Sequence, residues 1–135
     1  MNALLLATLA GCDGSVSGVL NQDTDVADTT PPVIEHDAIT TSQPYGLDVL
    51  INATVTDDND VFVVELVYQQ ETAVDWDNKE MLEVGGGLYQ GTIPGDDLKS
   101  GGMRYFLRAW DEFENESCLP EGCELDAWHF GVSAP

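Results

Sequence analysis

An all-β fold, a two-sheet Greek-key sandwich of about seven strands, is predicted by three features of the chain. From Val33 onward, apolar residues recur at every second position, the period at which a strand shows one face to a core. Clusters of turn-forming residues separate the alternating stretches: Asp57-Asp58-Asn59-Asp60, Gly85-Gly86-Gly87, Pro94-Gly95-Asp96-Asp97 and Gly101-Gly102. No stretch carries its apolar residues at helical spacing. A small barrel is the competing architecture.

The first expected strand, Val33 to Ile39, follows Pro31-Pro32, a pair whose missing N–H groups are tolerated at a sheet edge. In the second, Leu47, Val49, Ile51, Ala53 and Val55 alternate with Asp48, Leu50, Asn52, Thr54 and Thr56, so one face is apolar and the other polar except for Leu50. Val61 to Gln70 resumes the pattern, with Val64, Leu66 and Tyr68 on one side and Val63, Glu65 and Val67 on the other. Met81 to Val84, Leu88 to Ile93, Gly102 to Trp110 and Leu125 to Val132 complete the set.

Composition narrows function before any motif does. The chain has 135 residues, 25 acidic against 4 basic, and a net charge of -21. One domain of about 105 residues fits, with room for a leader and a tether. Nucleic-acid partners are excluded, because such affinity comes from Lys and Arg displacing counterions. A charge of this size favours solubility and attracts divalent cations.

Ahead of the domain, the apolar run Ala3 to Ala10 ends in Leu9-Ala10-Gly11-Cys12. This step through small residues into cysteine resembles a bacterial lipobox. The resemblance implies a lipoprotein signal segment over residues 1–11 and a mature chain that starts at an acylated Cys12. Residues 12–29 then read as a flexible acidic tether, and 30–135 as the β domain. The apolar core is at the short limit of the roughly 7 to 15 residues of a secretory signal, and no Lys or Arg precedes Lys79, so an upstream start codon is expected. The run falls short of the 18 or so apolar residues a transmembrane helix needs. With Cys12 assigned to lipid, Cys118 and Cys123 remain as one pair. The intervening Leu119-Pro120-Glu121-Gly122 holds the residues of a tight turn, and a local disulfide in an oxidising compartment is expected.

Several stretches carry a family resemblance. Asp28-Thr29-Thr30-Pro31-Pro32-Val33-Ile34, Ala53-Thr54-Val55-Thr56-Asp57, Val64-Glu65-Leu66-Val67-Tyr68, Tyr89-Gln90-Gly91-Thr92-Ile93-Pro94 and Tyr105-Phe106-Leu107-Arg108-Ala109-Trp110-Asp111 are similar to bacterial immunoglobulin-like, fibronectin type III-like domains. The similarity spans nearly the whole domain and implies that sandwich fold, with Tyr105 in the place of the tyrosine that hydrogen-bonds backbone at the sandwich corner. Glu112-Phe113-Glu114-Asn115 and the Cys118 to Cys123 loop depart from the family pattern, both in the connection before the last strand.

In an immunoglobulin-like order, one end of the sandwich gathers Asp28, Asp57, Asp58, Asp60, Asp111, Glu112 and Asn115. Six of these, Asp28, Asp57, Asp58, Asp60, Asp111 and Asn115, form the candidate calcium site, since calcium takes six to eight hard oxygens. Solvated acidic loops are the competing reading. A second candidate surface turns Phe106, Arg108 and Trp110 outward beside Val63 and Val67, a partner interface rich in aromatic and arginine side chains. The opposite assignment, with Trp110 in the core, stays open. Trp76 is a candidate for stacking on a sugar or for folding over a sheet edge.

Enzyme signatures are missing: His36 and His129 stand isolated, with no HExxH, GxSxG, phosphate-loop or GxGxxG pattern. The expected function is a non-catalytic binding or structural module. It is held by lipid at the bacterial cell envelope, facing periplasm or exterior, and its partner is another envelope protein or a glycan. A polysaccharide-binding accessory domain is the alternative.

Overall fold

The computed structural model describes residues 27–134. The signal segment, Cys12 and most of the expected tether lie outside the described residues. Within them the chain forms nine strands, β1 (Val33–Glu35), β2 (Val49–Thr56), β3 (Val61–Gln70), β4 (Asp77–Glu80), β5 (Leu82–Gly85), β6 (Leu88–Ile93), β7 (Met103–Asp111), β8 (Glu116–Leu119) and β9 (Trp128–Phe130). Two single-turn 3₁₀ segments, Gly95–Asp97 and Cys123–Asp126, sit in the connections. One sheet has the order β1-β2-β6-β5 and the other β9-β7-β3-β4, all pairs antiparallel. β8 pairs with β7 on the flank that β9 also uses, so the two are halves of one interrupted edge. This is the two-sheet Greek-key sandwich expected from the alternation, in the immunoglobulin-like strand order that the resemblance implied.

Alternation places the core. Val49, Ile51, Ala53 and Val55 of β2 face Val64, Leu66 and Tyr68 of β3 and Tyr105, Leu107 and Ala109 of β7 across the two sheets. Leu47, expected inward, is 59% exposed, because the chain is still turning through Gly46 (φ 74°) and pairing begins only at Val49. Gly91 has a packing reason to be glycine: a Cβ there would stand 3.0 Å from Met81 Cγ and 3.4 Å from Leu66 Cδ2, so β6 approaches the opposite sheet too closely for a side chain. The Gly85-Gly86-Gly87 turn runs entirely at positive φ (124°, 61° and 83°), which closes the β5–β6 hairpin.

Two strands were not legible as strands. β4 is Asp-Asn-Lys-Glu, exposed throughout, and exists because the edge of β3 offers backbone partners from Glu65 to Tyr68. The chain then crosses between sheets at Met81, which is 2% exposed, and the expected single strand from Met81 becomes β5 in the other sheet. At the C-terminal end, the expected strand Leu125 to Val132 shrinks to Trp128–Phe130. Leu125 lies in a 3₁₀ turn at 88% exposure, and the remaining pairing with β7 goes to β8 instead. The first strand is also shorter than expected. After Glu35 the chain leaves its sheet, and by Gln43 it runs parallel beside Val132 of the other.

Cys118 and Cys123 are disulfide-bonded, with Cα atoms 5.3 Å apart, and the bridge closes the loop between β8 and β9. The Leu119–Pro120 peptide in that loop is cis.

Candidate functional site

The acidic end of the sandwich is built on Asp111, the last residue of β7, which is 1% exposed. Its carboxylate accepts hydrogen bonds from the N–H groups of Phe113 (2.8 Å) and Asn115 (2.9 Å) and from Asn115 Nδ2 (2.9 Å). These bonds turn the chain from β7 into β8, an Asx-type use of aspartate at a strand end. Asn115 Nδ2 also donates to the carbonyl of Asp28 (2.9 Å), which ties the segment ahead of β1 to the same corner. Asp111 and Asn115 therefore act as the frame of the corner.

Three carboxylates stand on that frame. Asp28, Asp57 and Asp58 each bring an oxygen to within 4.8 Å of the other two. Asp28 Oδ1 accepts the Thr30 N–H (2.9 Å) and Asp57 Oδ2 accepts the Asn59 N–H (3.2 Å). Their other oxygens, Asp28 Oδ2 and Asp57 Oδ1, are shut off from solvent without a hydrogen-bond partner. None of the ion pairs among the described residues reaches them. Anionic oxygens left without partners in a cluster of carboxylates are costly unless a proton or cation joins them. Hard carboxylate oxygens are the donors a calcium-type ion takes, so these residues fit such an ion. Asp60 and Glu112, expected in the group, are exposed and outside it. Asp60 instead lines a shallow concavity with Asn59, Glu83 and Tyr89.

The two ends of this arrangement titrate in opposite directions. Burial pushes the Asp57 carboxyl up. The Asn59 N–H opposes that, but Asp58, Asp111 and Asp28 add to it. Asp111 is also pushed up by burial, yet the bonds from Asn115 and Phe113, with a smaller contribution from the neighbouring Asp28 carboxyl, outweigh this and hold it below its usual 3.8. A raised folded pKa means that ionised Asp57 opposes folding at neutral pH, and this opposition fades as pH falls. A depressed one means that ionised Asp111 supports folding until pH drops below 3.8. In chelator-treated buffer, Asp57→Asn is therefore expected to stabilise at pH 7, with a gain that shrinks on acidification. Asp111→Asn is expected to destabilise at pH 7, with a penalty that fades only below about pH 4. Melting curves of the two variants against wild type from pH 3 to 8 measure both, and a destabilised Asp57→Asn at pH 7 would contradict the assignment.

The second candidate surface is built differently from expectation. Register pairs Val63 with Trp110, Glu65 with Arg108 and Val67 with Phe106, so these side chains do share the outer face of the β3–β7 pair. That face is not an open apolar patch, however: Val67 and Phe106 are only 4% and 3% exposed. Trp76, from the loop before β4, folds over them and meets Phe106 edge-on at 5.3 Å. Arg104 lies over the Trp76 ring at 5.1 Å, and Arg108 lies 4.9 Å from Trp110 and 6.0 Å from Phe106. Glu65 anchors Arg108 at 2.8 Å and Gln69 accepts from Arg104. Two of the four basic residues are thus spent on a stacked ladder of arginines and rings. Val63, Arg108 and Trp110 stay half-buried. Of the two readings open for Trp76, folding over a sheet is the one its ring adopts, just ahead of the paired β4.

A third cluster escaped the sequence altogether. His36 lies between Tyr105 and Trp128, with ring centroids at 5.7 and 5.0 Å, and bonds to both sheets. The Tyr105 hydroxyl does bond backbone, accepting the Ile39 N–H at 2.8 Å.

No family model matches the chain, and no curated protein matches it. Solved structures similar to it include the endo-beta-1,4-mannanase from Thermotoga petrophila, with a TM-score of 0.54 and 14% identity over 80% of this chain. The chain spans 21% of that enzyme. The titin M3 domain aligns with a TM-score of 0.48 and 13% identity, covering 77% of this chain and 98% of the domain. At such identity the mannanase likeness concerns the β-sandwich alone.

Proposed function

We propose that this immunoglobulin-like sandwich is a non-catalytic binding or structural module of the bacterial cell envelope, anchored through lipid on Cys12. The observation that carries the reading is how the three cysteines divide. Cys118 and Cys123 are joined within the domain, which suits an oxidising compartment and leaves Cys12, behind its apolar run and Ala10-Gly11, as the unpaired one. A calcium-type ion at Asp28, Asp57 and Asp58 belongs to the same proposal, supported by the two orphaned carboxylate oxygens. A glycan-binding role draws no support from Trp76, whose ring is engaged by Phe106 and Arg104.

Metabolic labelling tests the anchor. Expressed in a bacterial host behind a complete signal, the protein is expected to incorporate palmitate and to partition into detergent, and Cys12→Ser should abolish both. Wild type that remains unlabelled and as soluble as the variant would overturn the anchor while leaving the sandwich intact.

A further inference from the structure

The segment that follows β1 changes sheets. Val33–Glu35 pairs with β2, whereas Gln43 bridges the segment that follows β9 of the opposite sheet: its N–H donates to Gly131 O (2.9 Å) and its carbonyl accepts from the Ser133 N–H (2.9 Å). At the start of this crossing, directly after Glu35, His36 bonds on both sides. Nδ1 lies 2.5 Å from Asn52 O on β2, and Nε2 lies 2.7 Å from the Tyr105 hydroxyl on β7.

The donors and acceptors fix the state of the ring. A carbonyl can only accept, so Nδ1 must carry the hydrogen. In neutral imidazole Nε2 is then a bare acceptor, and it takes the Tyr105 O–H. The phenol oxygen in turn accepts the Ile39 N–H at 2.8 Å. Every group in this relay is matched, and Tyr105 is fully buried. Burial also pushes the Tyr105 hydroxyl up to about 12, so it keeps its proton and remains the donor.

We propose that neutral His36 is an acid-released latch, whose protonation breaks the His36–Tyr105–Ile39 relay and frees the sheet-crossing segment from β7. A second proton would place an N–H on Nε2, facing a hydroxyl whose oxygen already takes the Ile39 N–H and whose hydrogen has Nε2 as its acceptor. The tyrosine hydrogen would then be stranded in the core. The elements packed on the ring present Asn52 from β2, Tyr105 from β7 and Trp128 from β9, none of them charged, and the charge that acts on it is Asp37 of its own segment. Burial pulls the imidazole below 6.5 against the Asn52 carbonyl and Asp37, which favour the charged form. Because the unfolded chain takes the proton first, the latch's contribution is whole above 6.5 and is lost as pH falls beneath it. Once the segment is released, β1 itself stays on β2 through its three pairs with Thr54–Thr56.

The experiment uses His129→Gln protein, in which His36 is the single histidine. Long-range ¹H–¹⁵N spectra at pH 7.5 are expected to show the Nδ1–H tautomer, with a titration midpoint below 6.5. Amide exchange at Ile39, corrected for its intrinsic pH dependence, should accelerate on the order of tenfold on the acid side of that midpoint, the scale of one buried hydrogen bond. Tyr105→Phe should exchange fast at Ile39 at both ends of the range. An Nε2–H tautomer, a midpoint at or above 6.5, or Ile39 protection that is unchanged when the ring is charged would each overturn the latch.

Discussion

Replacing Phe130 with alanine is expected to destabilise the domain by about 3–5 kcal/mol, the cost of emptying a fully buried aromatic site. Opening the disulfide with Cys118→Ala and Cys123→Ala is expected to cost no more than about 2 kcal/mol, since a loop this short loses little chain entropy when unlinked. The comparison matters because β8 and β9 are halves of one interrupted edge. β9 is three residues long, and Phe130, packed 6.0 Å from the Tyr105 ring, is its main hold on the core. If packing fixes the last strand, the phenylalanine variant should lose more than about 10 °C of melting temperature, at the several degrees per kcal/mol usual for a small domain. The cysteine variant should lose clearly less, and reductant should add nothing further to its loss. Equal losses in the two variants would mean that the covalent link holds the last edge.

Calcium added to the chelator-treated domain at a hundredfold excess over Kd is expected to raise the melting temperature by about 10 °C or more. An ion that binds only the folded form stabilises by RT ln(1 + [L]/Kd), about 2.7 kcal/mol at a hundredfold excess over Kd. The physical source is Asp28 Oδ2 and Asp57 Oδ1, buried without partners beside the Asp58 carboxylate. Magnesium should do less, because its tighter octahedral shell demands more of the loop. Sodium chloride at matched ionic strength is the necessary control, as screening stabilises any chain with a net charge of -21. Asp28→Asn combined with Asp57→Asn should remove the calcium increment and keep the salt increment. A calcium effect no larger than that of sodium, or one unchanged in the double variant, would reduce the apex to solvated acids.

Legibility of the candidate site followed the chemistry of each residue. Asp28, Asp57, Asp58, Asp111 and Asn115 were grouped from the sequence because strand order places their loops at one end, and the structure gathers them at one corner. Their division of labour could not be read. Asp111 turned inward because the β7–β8 turn offers it two backbone N–H groups and the Asn115 amide, whereas Asp60, ahead of β3, stays exposed. Register puts Val63, Val67, Phe106, Arg108 and Trp110 on one face of the β3–β7 pair, as alternation implies, but with Val67 and Phe106 buried rather than exposed. Its closure by Trp76 depends on a contact that no local pattern encodes.

The sequence by itself determined what period and composition carry. Alternation from Val49 to Val55 and from Val64 to Tyr68 set the buried faces, the glycine run set the β5–β6 turn, and the spacing of Cys118 and Cys123 set their bridge. These are local properties, decided within a few residues. Tertiary structure alone decided three others: whether Asp77–Glu80 would be a strand, where the crossing after β1 would lie, and what His36 would touch. Each depends on a partner supplied from far along the chain: the free edge of β3, the end of β9 and the Tyr105 hydroxyl, 69 residues from His36. A polar residue's role is set by the group that completes its hydrogen bond, and only the folded chain brings that group within reach.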